Sequence, residues 1–301
     1  MKFLITGATG LIGKEIVRLC KEKGHTVHYL TTNEQKIVKT DNYQGFYWNP
    51  DKGIIDAKCL EGVDVIINLA GASIAKRWTA SYKKMIIDSR VKSLQLLHFL
   101  ISKNKNNVKQ LVSSSAIGIY PSSLTKEYTE DNSEINKSFL GKVVDVWEKE
   151  TANFTAIGLE VSKVRIGVVL SKTGGALEQM AKPVKYGVGA PLGNGKQYLS
   201  WIHIEDVARI FLHIAENNLI GAFNAVGNNP VTNAKITKTI AKSLKKPLRL
   251  PNAPAFMLKL LLGEMASIVL ESQKVSNKKI IETGFNFKFS SLESAVNDCF
   301  S

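Results

Sequence analysis

Cysteine is scarce: Cys20, Cys59 and Cys299 are the only three in 301 residues. None belongs to a CxxC pair, which excludes a disulfide framework and a cysteine zinc site and leaves buried thiols. Long apolar runs are missing too. The nearest approach, residues 253–270, is interrupted by Lys259 and Glu264, so no stretch reaches the ~18 uncharged residues of a membrane span. The apolar burst after Lys2 meets glycine too soon for a secretory signal. A cytoplasmic chain with no membrane partner is expected. Acidic residues number 26 against 40 basic ones, a net charge of +14. Such an excess favours nucleic acid, an anionic membrane or a phosphorylated small molecule. The runs Lys83-Lys84, Lys245-Lys246 and Lys278-Lys279 are short and carry no interleaved aromatics. A nucleic-acid partner is therefore the weaker reading beside a solvated basic surface. Hydrophobic residues at 44% and charged residues at 22% exclude disorder as the main state.

What is present is regular alternation. Residues 2–6 read as a short strand leading directly into Gly7-x-x-Gly10-x-x-Gly13. Leu11, Ile12, Ile16, Val17 and Leu19 recur at helical spacing up to Gly24, and 25–30 read as a second strand. Strand, glycine turn, helix and strand within thirty residues make a βαβ unit. The apolar run 63–69 reads as a strand covered on both faces. A helix over 82–101, a strand at 110–115, a helix over 139–152 and a strand over 161–170 follow. The pattern predicts an α/β chain: a Rossmann-type doubly wound parallel sheet with a small C-terminal α+β lobe. Glycine and proline cluster over 174–195, and 201–216 read as strand then helix. Val231-Thr-Asn233 resembles a helix cap, the tail beyond Leu250 is apolar and helical, and 284–289 alternate. The expected division is a nucleotide domain over 1–170, with segments near 200–230 returning to it, and a smaller lobe over 171–301.

The glycine loop is the strongest chemical signal. Its first glycine allows a tight turn, the second lets a diphosphate approach the backbone, and the third permits close helix–strand packing. Free N–H groups at the helix start then hold the anion. Gly7, Thr9, Gly10, Leu11, Ile12 and Gly13 are the candidate contacts. The strand context on one side and the helix on the other is what gives the pattern its weight. The second strand ends Leu30-Thr31-Thr32-Asn33 with no carboxylate at its terminus; Glu34 is the nearest and Lys36 follows. Thr31, Thr32 and Lys36 suit a 2′-phosphate better than a free ribose hydroxyl, which favours NADP over NAD.

Thr6-Gly-Ala-Thr-Gly-Leu-Ile-Gly13, Asp64-Val-Ile-Ile-Asn-Leu-Ala-Gly71, Leu111-Val-Ser-Ser-Ser-Ala116 and Trp201-Ile-His-Ile-Glu-Asp206 together resemble the extended short-chain dehydrogenase/reductases. Arg77-Trp78, Asp88-Ser-Arg90, Gly174-Gly-Ala176, Pro230-Val-Thr-Asn233 and Leu262-Gly-Glu-Met-Ala266 resemble, more narrowly, the subgroup described as epimerase family proteins. The likeness spans essentially the whole chain. It implies that Leu69, Ala70 and Gly71 lie beside the adenosine half of the cofactor, with Met85 and Arg90 on the next helix and Arg90 reaching a phosphate. It places Ser113 and the strand end after Val164 on the nicotinamide side.

The resemblance also implies a catalytic serine, a tyrosine acting as general acid/base, and a lysine four residues later that lowers the tyrosine's pKa. Ser115 fits the serine position. The pair is missing: none of the eight tyrosines has a lysine four residues on, and anchored on Glu148 the two positions fall at Leu140 and Val144. Tyr120, on the same strand-to-loop segment as Ser115, is the substitute phenol; Lys142 with Asp145 is a weaker substitute, since such pairs usually sit on the surface. Trp201, His203 and Asp206 form a polar–aromatic cluster on the substrate side, with Glu264 and Met265 placed to cover the cleft. The expected function is an NAD(P)-dependent oxidoreductase or sugar-nucleotide-like epimerase with an unidentified small-molecule substrate, in a chain that can dimerise through helices flanking its sheet. The rival is a non-catalytic NADP-binding sensor that lacks the tyrosine–lysine pair.

Overall fold

The structure, a computed structural model, describes residues 1–301. Its first half runs β1 (Lys2–Thr6), α1 (Leu11–Glu22), β2 (Thr26–Thr31), β3 (Lys39–Thr40), β4 (Tyr43–Asn49), β5 (Ile54–Ile55), β6 (Val65–Asn68), α2 (Ala80–Lys103), β7 (Gln110–Ala116), β8 (Glu127–Tyr128) and α3 (Phe139–Ala152). Then come β9 (Glu160–Ile166), β10 (Val168–Leu170), α4 (Ala176–Lys185), β11 (Tyr198–Leu199), β12 (Trp201–His203), α5 (Ile204–Glu216) and β13 (Gly221–Ala225). The rest is β14 (Val231–Thr232), α6 (Asn233–Ser243), α7 (Ala255–Leu262), α8 (Ala266–Leu270), β15 (Lys274–Val275), α9 (Lys278–Glu282) and α10 (Leu292–Phe300).

The main sheet has the order β13-β9-β7-β6-β1-β2-β4-β3, with β5 beside β4. Every pairing from β13 to β4 is parallel. The chain winds from β1 outward through β2 and β4, then returns past β1 to β6 and onward to β13. The order therefore reverses between β1 and β6, the position where such sheets open a crevice at their carboxyl ends. Alternation along β1 shows both faces covered. Phe3 and Ile5 enter one core with Ile16, Val207 and Phe211, and Leu4 enters the other with Leu94, Leu97 and Trp147. Each such fully buried side chain contributes about 1.5–3 kcal/mol relative to exposure. This is a mixed α/β, Rossmann-like chain.

Two elements depart from the sequence pattern. The run 161–170 is not one strand: it breaks at Gly167, where a Cβ would stand 2.2 Å from the Ser200 carbonyl oxygen. β10 leaves the main sheet there and pairs with β12. The alternating 284–289 forms no strand. It is irregular backbone that sets Phe285 into the main-sheet core and Phe289 into a second cluster with Leu177, Trp201, Ile240 and Val296. That cluster joins α4, α6 and α10. α5 packs on α1's face of the sheet, sharing its core, and β13 extends the sheet edge.

Candidate functional site

The loop after β1 is built to leave main-chain groups open. Gly7 has φ +70°, and the Gly10 N–H donates to the Gly7 carbonyl at 2.9 Å. Gly10 caps α1 from an extended conformation with no side-chain bond to the first turn. The leading N–H groups of α1 consequently have no intrahelical acceptor and no side-chain cap. Gly13 lets the helix press on the loop: a Cβ there would lie 2.2 Å from the Gly7 oxygen and 2.7 Å from Ala8 Cα. Gly10 is exposed, with Thr9, Leu11 and Ile12 half-buried around it. The Gly174-Gly175 turn arrives from the lobe, a Cβ on Gly175 falling 3.1 Å from Leu11 Cδ2.

Buried hydroxyls stitch the neighbouring strand ends. Thr6 Oγ1 donates to Asn68 Oδ1 at 2.7 Å and accepts from the Leu69 and Ala70 N–H groups at 3.0 Å each. Asn68 Nδ2 donates to Ser113 Oγ at 3.0 Å. Ser113 is thus fully buried and engaged inside the protein. Its side chain sits midway along β7 and holds Asn68 of β6. Val164 lies mid-strand in the core, two residues before β9 ends at Ile166.

Leu69 and Ala70 are half-buried at the end of β6, and Gly71 is exposed. Arg90 reaches them from α2, and a Cβ on Gly71 would stand 3.1 Å from its guanidinium carbon. The Arg90 side chain is nine-tenths buried. Nη1 donates to the Ile86 and Ala72 carbonyls at 2.8 and 3.3 Å, while Nε has no acceptor. The group lies 4.8 Å from the Trp147 ring centre and has no carboxylate partner. Burial alone pushes its pKa down to about 10. Met85, on the same helix, is exposed.

At the β2 end, Thr31 is buried and closes a turn, its Oγ1 accepting from Asn33 N–H at 3.2 Å. Thr32 and Lys36 project into solvent, and the Lys36 carbonyl is anchored by the Tyr29 hydroxyl at 2.6 Å.

Ser115, at the end of β7, is 3% exposed and donates to Glu148 Oε1 at 2.6 Å. Arg165 on β9 binds the same carboxylate through Nε at 2.8 Å and Nη2 at 2.9 Å. Burial works against ionisation of Glu148, but these two bonds and the Arg165 charge outweigh it and hold the carboxyl below its usual range. Leu140 and Val144 pack toward the turn after Ser115, 3.6 and 3.9 Å from where a Gly118 Cβ would be. Tyr120, the substitute phenol, is buried. A short 3-10 turn over Ile117–Ile119 turns it inward to zero exposure. Its hydroxyl donates to Asn224 Oδ1 at 2.8 Å and accepts from Arg165 Nη1 at 2.9 Å. Burial raises its pKa above the ordinary phenol value despite Arg165. Asp145 pairs with Lys149, not Lys142.

The cluster placed on the substrate side is structural. His203 caps α5 by accepting from the Glu205 N–H at 3.3 Å and meets Asp298 at 3.2 Å. Asp206 accepts from the Lys288 and Phe289 N–H groups, and Trp201 Nε1 donates to the Asn229 carbonyl. Glu264 is exposed and pairs with Lys83 of α2. Sequence reasoning missed Arg165 and the role of Glu148, which is separated from Ser115 by 33 residues.

The pattern of the family described as "NAD dependent epimerase/dehydratase family" matches residues 3–226, and a domain of unknown function (DUF1731) matches 253–299. The epimerase family protein YfhF of Bacillus subtilis is 37% identical over 298 residues, covering 99% of this chain and 97% of that protein. Human epimerase family protein SDR39U1, solved with NADPH, is 30% identical with TM-score 0.87, covering 99% of each chain. UDP-N-acetylglucosamine 4-epimerase of Bacillus cereus shares the fold at TM-score 0.78 and 18% identity, over 99% of this chain and 98% of that one. The open glycine loop at the strand-order reversal and the full-length likeness agree: the chain belongs to the NAD dependent epimerase/dehydratase family, among its epimerase family proteins.

Proposed function

We propose that the protein is an NADP(H)-dependent oxidoreductase or epimerase of a small carbonyl or hydroxyl substrate. The observation that carries the nucleotide assignment is Arg90. A nine-tenths buried guanidinium with no carboxylate and its buried Nε unpaired is costly without a counter-ion. It stands against Gly71 at the open end of β6, beside the glycine cradle that a Cβ would fill. A diphosphate supplies the missing charge. The leading N–H groups of α1 hold it from one side, with the helix dipole adding attraction. Thr32 and Lys36, both exposed where a carboxylate would otherwise select NAD, support NADP. The NADPH in the human relative agrees with that choice.

When bound, the nicotinamide supplies or accepts hydride. The chain's own residues handle the substrate oxygen. The Ser115 hydroxyl donates its hydrogen bond to Glu148, so its lone pairs are free to accept from a substrate hydroxyl. Arg165 keeps Glu148 ionised and in place. Leu140 and Val144 make this flank apolar and contribute no proton, so the proton passes through water or the Ser115–Glu148 pair.

Turnover of NADPH or NADP against a panel of aldehydes, ketones and sugar nucleotides tests the reading. Activity with at least one member, reduced on the order of 10²-fold in Ser115→Ala, supports it. Tight nucleotide binding with no turnover on any member favours the sensor instead.

A further inference from the structure

We infer that α7, with the basic segment that leads into it, forms a docking surface for an anionic lipid bilayer. Seven of the eight residues of α7 are apolar, Lys259 being the exception. A helix that is apolar all round belongs in a core or in lipid. This one is in no core. None of its residues is buried, and Phe256, Leu260 and Leu261 are 71%, 84% and 76% exposed. Eight residues fall far short of the ~20 needed to cross a bilayer. Lying flat in the headgroup boundary is the placement that satisfies both facts.

The apolar surface continues beyond the helix. Ala253 N–H donates to the Pro191 carbonyl, and its own carbonyl accepts from Gly193 N–H, both at 2.8 Å. The loop after α4 is thereby drawn alongside, and that loop exposes Tyr186 and Val188. Leu250 and Ile268, on either side of α7 in sequence, are exposed too.

Charge selects the occupant. Residues 217–263 contain no aspartate or glutamate but carry Lys235, Lys238, Lys242, Lys245, Lys246, Arg249 and Lys259. Of these only Lys235 makes an ion pair, with Glu293. Glu264, just past α7, is neutralised by Lys83. A second copy related by a two-fold axis would set these like charges against one another. Anionic headgroups complement it. The expectation of no membrane partner rested on the lack of a span and does not bear on a helix that lies on the surface.

Co-sedimentation of the full-length protein with vesicles of phosphatidylcholine alone, or mixed with phosphatidylserine, decides the matter. The protein should pellet with the mixed vesicles only, and less so as salt is raised. The exposed double substitution Leu260→Gln/Leu261→Gln should lower the bound fraction roughly tenfold, with the melting temperature and NADPH binding unchanged. Three results would overturn the proposal: no pelleting with the mixed vesicles, equal pelleting of the variant, or a solution dimer that the substitutions disperse. The last would make a second copy the occupant. All three leave the nucleotide reading intact.

Discussion

Arg165 grips Glu148 with two parallel hydrogen bonds of 2.8 and 2.9 Å in the protein interior, and Ser115 hangs from the same carboxylate. Removing one partner strands the other. Glu148→Ala should therefore lower stability by about 3–5 kcal/mol. Replacing both charges, as Glu148→Leu with Arg165→Met, should recover most of that loss. Urea unfolding of the three proteins measures it, and equal loss in the single and double variants would contradict the pairing.

Arg90 makes the opposite prediction for stability. Arg90→Met removes a buried charge that nothing in the chain neutralises, so the nucleotide-free protein should melt no lower than wild type. NADPH affinity should fall roughly 10- to 100-fold, the worth of charge-assisted hydrogen bonds. A lower melting temperature with unchanged affinity would make Arg90 a packing residue instead.

Gly13→Ala tests the loop. Its Cβ would strike Gly7 oxygen and Ala8 backbone, neither of which can rotate away. We expect a loss of about 1–3 kcal/mol in stability together with loss of nucleotide binding. Wild-type affinity in this variant would show that the loop's shape is not what recognises the ligand.

Acid should weaken the fold through histidine. Burial lowers the pKa of His203 from its ordinary 6.5, outweighing the opposing pull of Asp298, Asp206 and Glu205. The unfolded chain then takes up its proton first as pH falls. The stabilisation is complete above the unfolded value and drains as pH drops through the folded one. His28 and His213, lowered chiefly by burial, act in the same direction; Glu130 and Glu271, raised by burial, act oppositely. His203→Asn, which keeps a capping oxygen, should flatten the decline in melting temperature between about pH 7 and about pH 5. Parallel curves for the two proteins would contradict this.

Local patterns were legible and long-range pairings were not. The β1 loop and α1 follow from glycine spacing and apolar periodicity within thirty residues, where hard-sphere sterics and helix geometry act. Glu148 and Arg165 lie on different elements, and each alone reads as a surface charge. Tyr120 reads as a loop-tip phenol because nothing local announces the 3-10 turn that folds it under Asn224. The run 161–170 reads as one strand because the break at Gly167 is imposed by the Ser200 carbonyl of another segment. His203 and Asp206 look like part of a substrate-side cluster in sequence and serve as acceptors, since the N-terminal N–H groups of α5 and the 288–289 backbone need them.

Calorimetric titration of NADPH and NADH into the full-length protein tests the phosphate-cradle assignment most directly. NADPH should bind at least ~10-fold tighter than NADH, as an extra ionic contact to a phosphate requires, and Arg90→Met should weaken both. Failure of both nucleotides to bind would contradict the assignment, and so would equally weak binding of both that Arg90→Met leaves unchanged.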